Sequence, residues 1–442
     1  MASLARARMD PPPPRKRVGA DPNPGWTAAP WAGVPHPNLD ASLGTTARAT
    51  ATPPPLPSRF RASEASDASD RSTDDASTSA SRAVAAALEP VAWHAYFDEK
   101  VDVSADTSGK DVFRVYARRG GERRPSFGET RSNDDPPRVS RKTETVVLFA
   151  HGCAYTALSW ATTIEHLAPR LDASVLLVAF DARGHGESRT SGAETDLSAE
   201  RLARDVASVA RAVVRRFCVS SEPRASTPRA ERKTPKLVFV GHSMGGAAAA
   251  RAAAMVGDRP ESYRDVDLRG VALVDVAEGS ASSRATRATE AFLARRPTSF
   301  AAPRDAVAWF VRSGLTTNLA SARVSAPSQI RRDLESDAGR WAWILDARAT
   351  APHWRGWFEG LSRAFVRLKC AKLLVLASTD RLDTELQIAQ MQGKFQTVVV
   401  PGAGHAVHED EPQKTANALA GFLERYCAPR GGGDGFAKAS PV

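Results

Sequence analysis

The stretch Val240–Ala254, "VGHSMGGAAAARAAA", places Ser243 between two glycines, after an apolar run and before a run of alanines. An apolar run, a sharp turn and an alanine-rich helix around G-x-S-x-G predict a strand–turn–helix. That context turns the pattern from a common pentapeptide into a nucleophile elbow. Gly241 and Gly245 fit a turn too cramped for side chains. Gly246 and the alanines let the helix approach the sheet closely. Such a turn lifts the Ser243 hydroxyl above the carboxyl ends of the strands, where open α/β sheets bind ligands. The same residues would also serve as a plain glycine-rich turn with a capping serine, so the reading depends on the partners elsewhere in the chain.

Outward from this stretch, strands and helices alternate. "TVVLFAHG", "SVLLVAFDARGHGES", "KLVFVGHS", "LRGVALVDVAEGSA", "AKLLVLAS" and "FQTVVVPGAGH" are buried strands followed by turns. "ALSWATTIEHLAPRL", "DLSAERLARDVASVARAVVRRFC", "ELQIAQMQG" and "PQKTANALAGFLERYC" read as helices, the second with Ser198 as its N-cap. "KVDVS" and "DVFRVYARR" read as short alternating strands at the front. Strands apolar throughout and separated by helices predict an α/β fold, a mostly parallel sheet covered on both faces. Residues 280–365 carry Trp309, Trp341, Trp343, Trp354 and Trp357. They read as a helical cap, inserted after the strand ending near Asp275 and lying over one edge of the sheet.

The 442 residues divide unevenly. Residues 1–85 hold 13 of the 30 prolines, with abundant Ala, Ser, Thr and Arg. Such a segment buries too little apolar surface to offset its ordering entropy, so 1–85 and 429–442 are expected to be disordered tails flanking a domain over 86–428. No run of about 18 apolar residues predicts a membrane-spanning helix. Cys153, Cys218, Cys370 and Cys427 are scattered, without C-x-x-C or a Cys/His cluster, which disfavours a disulfide framework or structural zinc and fits a reducing compartment. The expectation is a cytoplasmic or nuclear protein, with organelle targeting by the acid-poor "MASLARARM" start left open. The net charge of +10 is spread over loops and tails such as "GERR" and "RAERK", which argues for solvated charge rather than a nucleic-acid surface.

A serine hydroxyl needs a base, and the base an orienting acid, in the chain order Ser, acid, His on this fold. His405, on the loop after the last strand, is placed to be the base, and His408 is its rival. Two aspartates compete for the acid. Asp380 follows the penultimate strand, Asp275 ends the strand before it, and spacing alone favours Asp380. His242 is expected to pack beneath the turn, and His185 to shape the pocket without a catalytic part. The N–H of Met244 is a candidate oxyanion donor. The second should come from the loop opened by His151-Gly152, with the Cys153 N–H as the candidate. The Cys153 thiol reads as a small loop side chain, not a reactive group.

With "GKDVFRVY", "ALSWA", "DLSAE", "GHSMGGA", "VDVAEGSA", "NLASARVS", "WFEGLS", "DRLD", "QMQGKFQ" and "GHAVHEDEP" in that order, residues 89–427 resemble the protein phosphatase methylesterase family. The resemblance implies an α/β-hydrolase that removes the methyl ester from the C-terminal carboxylate of the protein phosphatase 2A catalytic subunit. It also implies an acyl-enzyme mechanism and a protein partner; that chemistry needs no metal or organic cofactor, and a monomer that does not engage a membrane is expected. It moves the acid assignment from Asp380 to Asp275. Two other readings are a small-molecule esterase on the same scaffold, and a non-catalytic protein that inhibits the phosphatase by binding it. The loop "HGCAYTALSW" departs from the family's glycine-richer loop after His-Gly, which bears on Cys153 as donor.

Overall fold

The computed structural model describes residues 82–106, 109–121, 142–191, 196–218, 234–278, 283–334, 339–379 and 382–427. The tails, the basic loops around 122–141 and 219–233, and Asp380 lie outside the described residues.

Eleven strands are described: β1 (Glu99–Ser104), β2 (Val112–Arg119), β3 (Thr145–Ala150), β4 (Val175–Phe180), β5 (Lys236–His242), β6 (Asp267–Val274), β7 (Ser299–Phe300), β8 (Ile330–Arg332), β9 (Trp341–Trp343), β10 (Ala371–Leu376) and β11 (Gln396–Val399). Eight form the main sheet in the order β1-β2-β4-β3-β5-β6-β10-β11. β2 pairs antiparallel with β1 and β4. From β4 to β11 every pairing is parallel. The parallel strands therefore end on one edge, and the loops leaving β3, β5, β6, β10 and β11 meet there.

The two faces of the sheet anchor two cores. Val146, Leu148, Leu237 and Phe239 pack with the helices Ala199–Phe217 and Met244–Asp258 on one face. Val147, Phe149, Val238 and Val240 pack with Trp160, Ile164 and the helix Pro412–Tyr426 on the other. Burial on both faces explains why β3 and β4 lack polar alternation. Each such Val, Leu or Phe contributes about 2 kcal/mol by leaving water. The long helix starts where the sequence predicts, since the Ser198 hydroxyl accepts from the Arg201 N–H at 3.3 Å. A buried ion-pair network fixes the turn after β4, with Arg183 donating to Asp205 at 2.8 Å and to Asp111 at 3.1 Å.

The segment expected to be wholly helical also contains a small sheet. Helices Ser283–Ala294, Pro303–Ser313 and Leu319–Ser328 are joined by a three-stranded sheet in the order β7-β9-β8. Strands of two or three residues are too short to show alternation in sequence. Phe300, Phe310 and Ile330 make a separate core here, with Trp309, Trp341 and Trp343 packed against it. The segment reaches loops at the carboxyl edge, through Thr350 on Cys153 and Thr317 on Asp410. Its last part, Trp354–Arg367, joins the main core, where Arg251 donates to the carbonyl of Trp357 at 2.6 Å. Among the described residues no helix is long and apolar enough to cross a membrane, and the four cysteines are free thiols.

Candidate active site

β5 ends at His242, a helix begins at Met244, and Ser243 makes the whole turn between them at φ 50°, ψ −120°. Its N–H donates to the Val274 carbonyl at 3.2 Å, which pins the turn to β6. The glycines are steric necessities. A Cβ on Gly241 would collide with the Gly245 backbone, and one on Gly245 with the carbonyls of Ala150 and His151. The elbow exists because β3 and the new helix pass too close for any side chain there.

Asp275 follows β6 directly, also in the left-handed region at φ 48°. Its N–H donates to the Val375 carbonyl at 2.8 Å, so the bend is held by β10. Oδ1 accepts the Ala377 N–H at 3.1 Å, and Oδ2 lies 2.7 Å from Nδ1 of His405. Asp275 is fully buried and His405 nearly so. His405 sits on the loop after β11. His242 donates from Nε2 to its carbonyl at 3.0 Å, with the two rings 4.6 Å apart. Because His242 is the neighbour of Ser243, this contact sets the His405 loop against the serine turn. The carboxylate on the histidine is therefore that of Asp275.

His408 has a different place. Its ring lies against Trp160 at 4.1 Å and His242 at 4.5 Å, and neither ring nitrogen finds a hydrogen-bond partner among the described residues. Burial pushes it down to about 3, which keeps it neutral. Its neighbour Asp410, not singled out in the sequence reading, holds the loop. Its Oδ2 accepts from the Gly404 N–H at 2.6 Å, and Oδ1 accepts from Thr317 N–H at 2.7 Å and the Thr316 hydroxyl at 3.2 Å. One carboxylate thus ties the cap to the residue before His405. Nothing in a single sequence marks Asp410 for this among the acids of "HEDEP".

The two candidate oxyanion donors share a property. Cys153 and Met244 are buried, and among the described residues no acceptor takes either backbone N–H. Buried N–H groups are nearly always paired, so two vacant ones beside a serine mark a place for a ligand oxygen. Gly152 brings the loops together. A Cβ there would stand 3.3 Å from the Ser243 Cβ and 2.6 Å from His242 Nδ1. The Cys153 thiol lies 3.4 Å from the Thr350 hydroxyl, and burial pushes it up to about 11, so it is a thiol rather than a thiolate near neutral pH.

The cap reaches the Cys153 loop through Thr350. Trp354 donates to the Thr350 hydroxyl at 2.7 Å. The Arg296 guanidinium lies 3.6 Å over the Trp343 ring, and its buried Nε has no hydrogen-bond partner among the described residues. Burial lowers its pKa to about 10, still cationic near neutral pH. Among the described residues no group of three His, Cys, Asp or Glu side chains could hold a metal ion.

The chain matches the model of the alpha/beta hydrolase family over residues 147–418. It is 34% identical to protein phosphatase methylesterase 1 of Bos taurus, over 78% of this chain and 89% of that one. It is 36% identical to the probable protein phosphatase methylesterase 1 of Caenorhabditis elegans, over 77% and 78%. It is 40% identical to the Aspergillus fumigatus protein of the same name over a shorter stretch, 62% of each chain. In fold it is similar to E-2-(acetamidomethylene)succinate hydrolase, with TM-score 0.51 at 22% identity, covering 74% of this chain and 99% of that one.

Proposed function

We propose, from the premise that this chain belongs to the protein phosphatase methylesterases within the α/β-hydrolase family, that its substrate is the methyl-esterified C-terminus of the protein phosphatase 2A catalytic subunit. The chain is an ester hydrolase by family. What is proposed is the particular phosphatase, action as a monomer, and the residues that perform the reaction.

Ser243 is the nucleophile, His405 the base and Asp275 the orienting acid. The observation that carries this is the 2.7 Å bond between Asp275 and Nδ1 of His405, made where the His405 loop packs on the Ser243 turn. A carboxylate on Nδ1 keeps the proton there, so Nε2 carries the lone pair that takes the hydroxyl proton. The Ser243 oxygen then attacks the ester carbonyl. The tetrahedral oxyanion takes the N–H groups of Met244 and Cys153, each worth roughly 3 kcal/mol at the transition state. The C–O bond to methoxide breaks as the imidazolium of His405 returns the proton, and methanol leaves. The acyl-enzyme joins Ser243 to the C-terminal residue of the substrate. Water, deprotonated by His405, attacks that ester, and the carboxylate and Ser243 are released. Asp275 stabilises the imidazolium in both halves.

A methyl ester offers little surface to bind, so remote contacts must organise the reacting group. The cap is placed to provide them. Arg296 presents a half-buried cation, seated over the Trp343 ring, to a carbonyl or carboxylate of the incoming tail.

The test is methanol release from a methyl-esterified phosphatase tail peptide, beside labelling by a fluorophosphonate. The expected result is one label per chain on Ser243, and turnover that disappears with Ser243→Ala. A label on another residue would contradict the site. Equal or better kcat/KM on small aryl esters than on the peptide would contradict the substrate.

A further inference from the structure

The loop Gly152-Cys153-Ala154 carries one proposed oxyanion donor, yet its conformation is unfavourable in itself. Ala154 sits at φ 62°, a region where a Cβ is strained and glycine is at ease. Something must hold the loop there, and two buried histidines are placed to do it. The ring of His151 donates from Nδ1 to the Gly152 carbonyl at 2.7 Å and accepts the Ala182 N–H on Nε2 at 2.9 Å. The ring of His185 donates from Nδ1 to the Arg183 carbonyl at 2.7 Å and accepts the Ala154 N–H on Nε2 at 3.1 Å. Each histidine thus bonds its own segment with one nitrogen and the opposite segment with the other. Their rings meet edge to face at 4.9 Å.

The arrangement requires both rings neutral and in one tautomer. A carbonyl partner fixes the proton on Nδ1, leaving a lone pair on Nε2 for an amide N–H. Burial supports this, holding His151 well below its ordinary range and His185 at about 4. The turn that bears His185 is itself firm. Asp181 accepts the Ala157 N–H at 2.8 Å, and Arg183 is locked between Asp111 and Asp205. The second segment is therefore a rigid support, and the loop leans on it.

We propose that His151 and His185 form a reciprocal clamp in which His185 acts as a positioning residue, holding left-handed Ala154 so that the Cys153 N–H stays turned toward the acyl oxygen. The clamp takes over a task that glycine at position 154 would perform by its own backbone freedom. The inference rests on the esterase reading above, with Cys153 as donor.

Two amide substitutions that differ by one methylene in reach separate positioning from bulk stability. His185→Gln reaches far enough to accept the Ala154 N–H. His185→Asn can still donate to the Arg183 carbonyl but stops short of Ala154. The assay is steady-state hydrolysis of the methyl-esterified tail peptide, with fluorophosphonate titration counting competent sites. We expect His185→Asn to lower kcat about 10- to 100-fold per competent site, below the loss of a whole oxyanion donor, with KM changed less than threefold. His185→Gln should stay within threefold of wild type. Adding Ala154→Gly to His185→Asn should recover at least half of the lost kcat on a logarithmic scale, because glycine needs no clamp. Equal kcat in the Asn and Gln variants, or no recovery by Ala154→Gly, would overturn the clamp. Absence of Ser243-dependent turnover in the wild type would overturn the esterase reading and the clamp with it, whereas wild-type turnover with an undiminished Asn variant overturns the clamp alone.

Discussion

Asp275→Asn is the sharpest probe of the site, because the Ala377 N–H decides which way the new amide must face. In the native protein both carboxylate oxygens accept, one from Ala377 at 3.1 Å and one from His405 at 2.7 Å. Asparagine has a single oxygen. If it stays on Ala377, the amide NH2 faces His405, and Nδ1 must then accept. The histidine proton moves to Nε2, the nitrogen that has to take the proton of Ser243. If instead the oxygen turns to His405, an NH2 group faces the Ala377 N–H in a fully buried site, an unsatisfied pairing that costs about 1–3 kcal/mol. The productive orientation is therefore about 5- to 150-fold less populated than the unproductive one. The variant also lacks the charge that stabilises the imidazolium. Together these predict a fall in kcat of about 10⁴-fold, or ~5 kcal/mol at the transition state. The assay is kcat/KM for the tail-peptide ester at pH 7.5, with near-ultraviolet circular dichroism confirming the fold. A variant that keeps a tenth of wild-type kcat while folded would refute the placement of Asp275 behind His405, and would send attention to another carboxylate.

Ser243→Gly should abolish turnover yet raise the unfolding free energy by about 1 kcal/mol, because φ 50° favours glycine; a lower urea midpoint would contradict the strain at the elbow. Gly245→Ala should destabilise by about 1–3 kcal/mol or prevent folding, since its Cβ meets backbone carbonyls rather than yielding side chains; unchanged thermal unfolding would disprove the close approach of helix and β3. Between pH 6 and 5 stability should fall with acidification, because burial holds His151, His185, His242 and His408 neutral in the folded state while each takes a proton, with a pKa of about 6.5, once unfolded. Asp181, raised to about 6, and Glu409, raised well above its ordinary range, carry protons only when folded and offset about half, leaving about two protons taken up on unfolding, or roughly 3 kcal/mol per pH unit; urea midpoints at pH 5, 5.5 and 6 that do not move would refute the four neutral imidazoles.

The sheet is legible in the sequence because doubly buried strands cannot hide. β3, β4 and β5 are apolar runs bounded by turns, and the one turn that carries serine between glycines has a strand before it and a helix after it. The choice between two aspartates was not legible from spacing, since the loops after β6 and β10 leave the same edge of the sheet. What separates them is backbone direction. The bend at Asp275 is held by Val375 and its carboxylate by Ala377, both partners lying about a hundred residues further along the chain. β7, β8 and β9 were not legible because two or three residues carry no period. The roles of Asp410, His151 and His185 were hidden for another reason. Each acts largely through main-chain groups, and a main-chain amide is the same in every residue but proline, so no side-chain pattern announces its partner.

Among the described residues three non-glycine positions have positive φ, and they are Ala154, Ser243 and Asp275. One carries the loop of a proposed oxyanion donor, one is the proposed nucleophile and one the proposed acid. Each such residue costs on the order of 1–3 kcal/mol and persists only where its surroundings over-determine it. Here the surroundings can be named. Ser243 is held by β6 through Val274, Asp275 by β10 through Val375, and Ala154 by His185 from the turn after β4. In each case the strained residue follows one strand and is fixed from another strand or from the turn another strand delivers. A parallel sheet brings such ends together at fixed spacing, so a bend leaving one strand is braced by another within hydrogen-bond reach. Strain at this edge is thus sustained by the rigidity of the sheet beneath it. That explains why the three bends can hold a serine, a carboxylate and two vacant N–H groups in place without a ligand to order them.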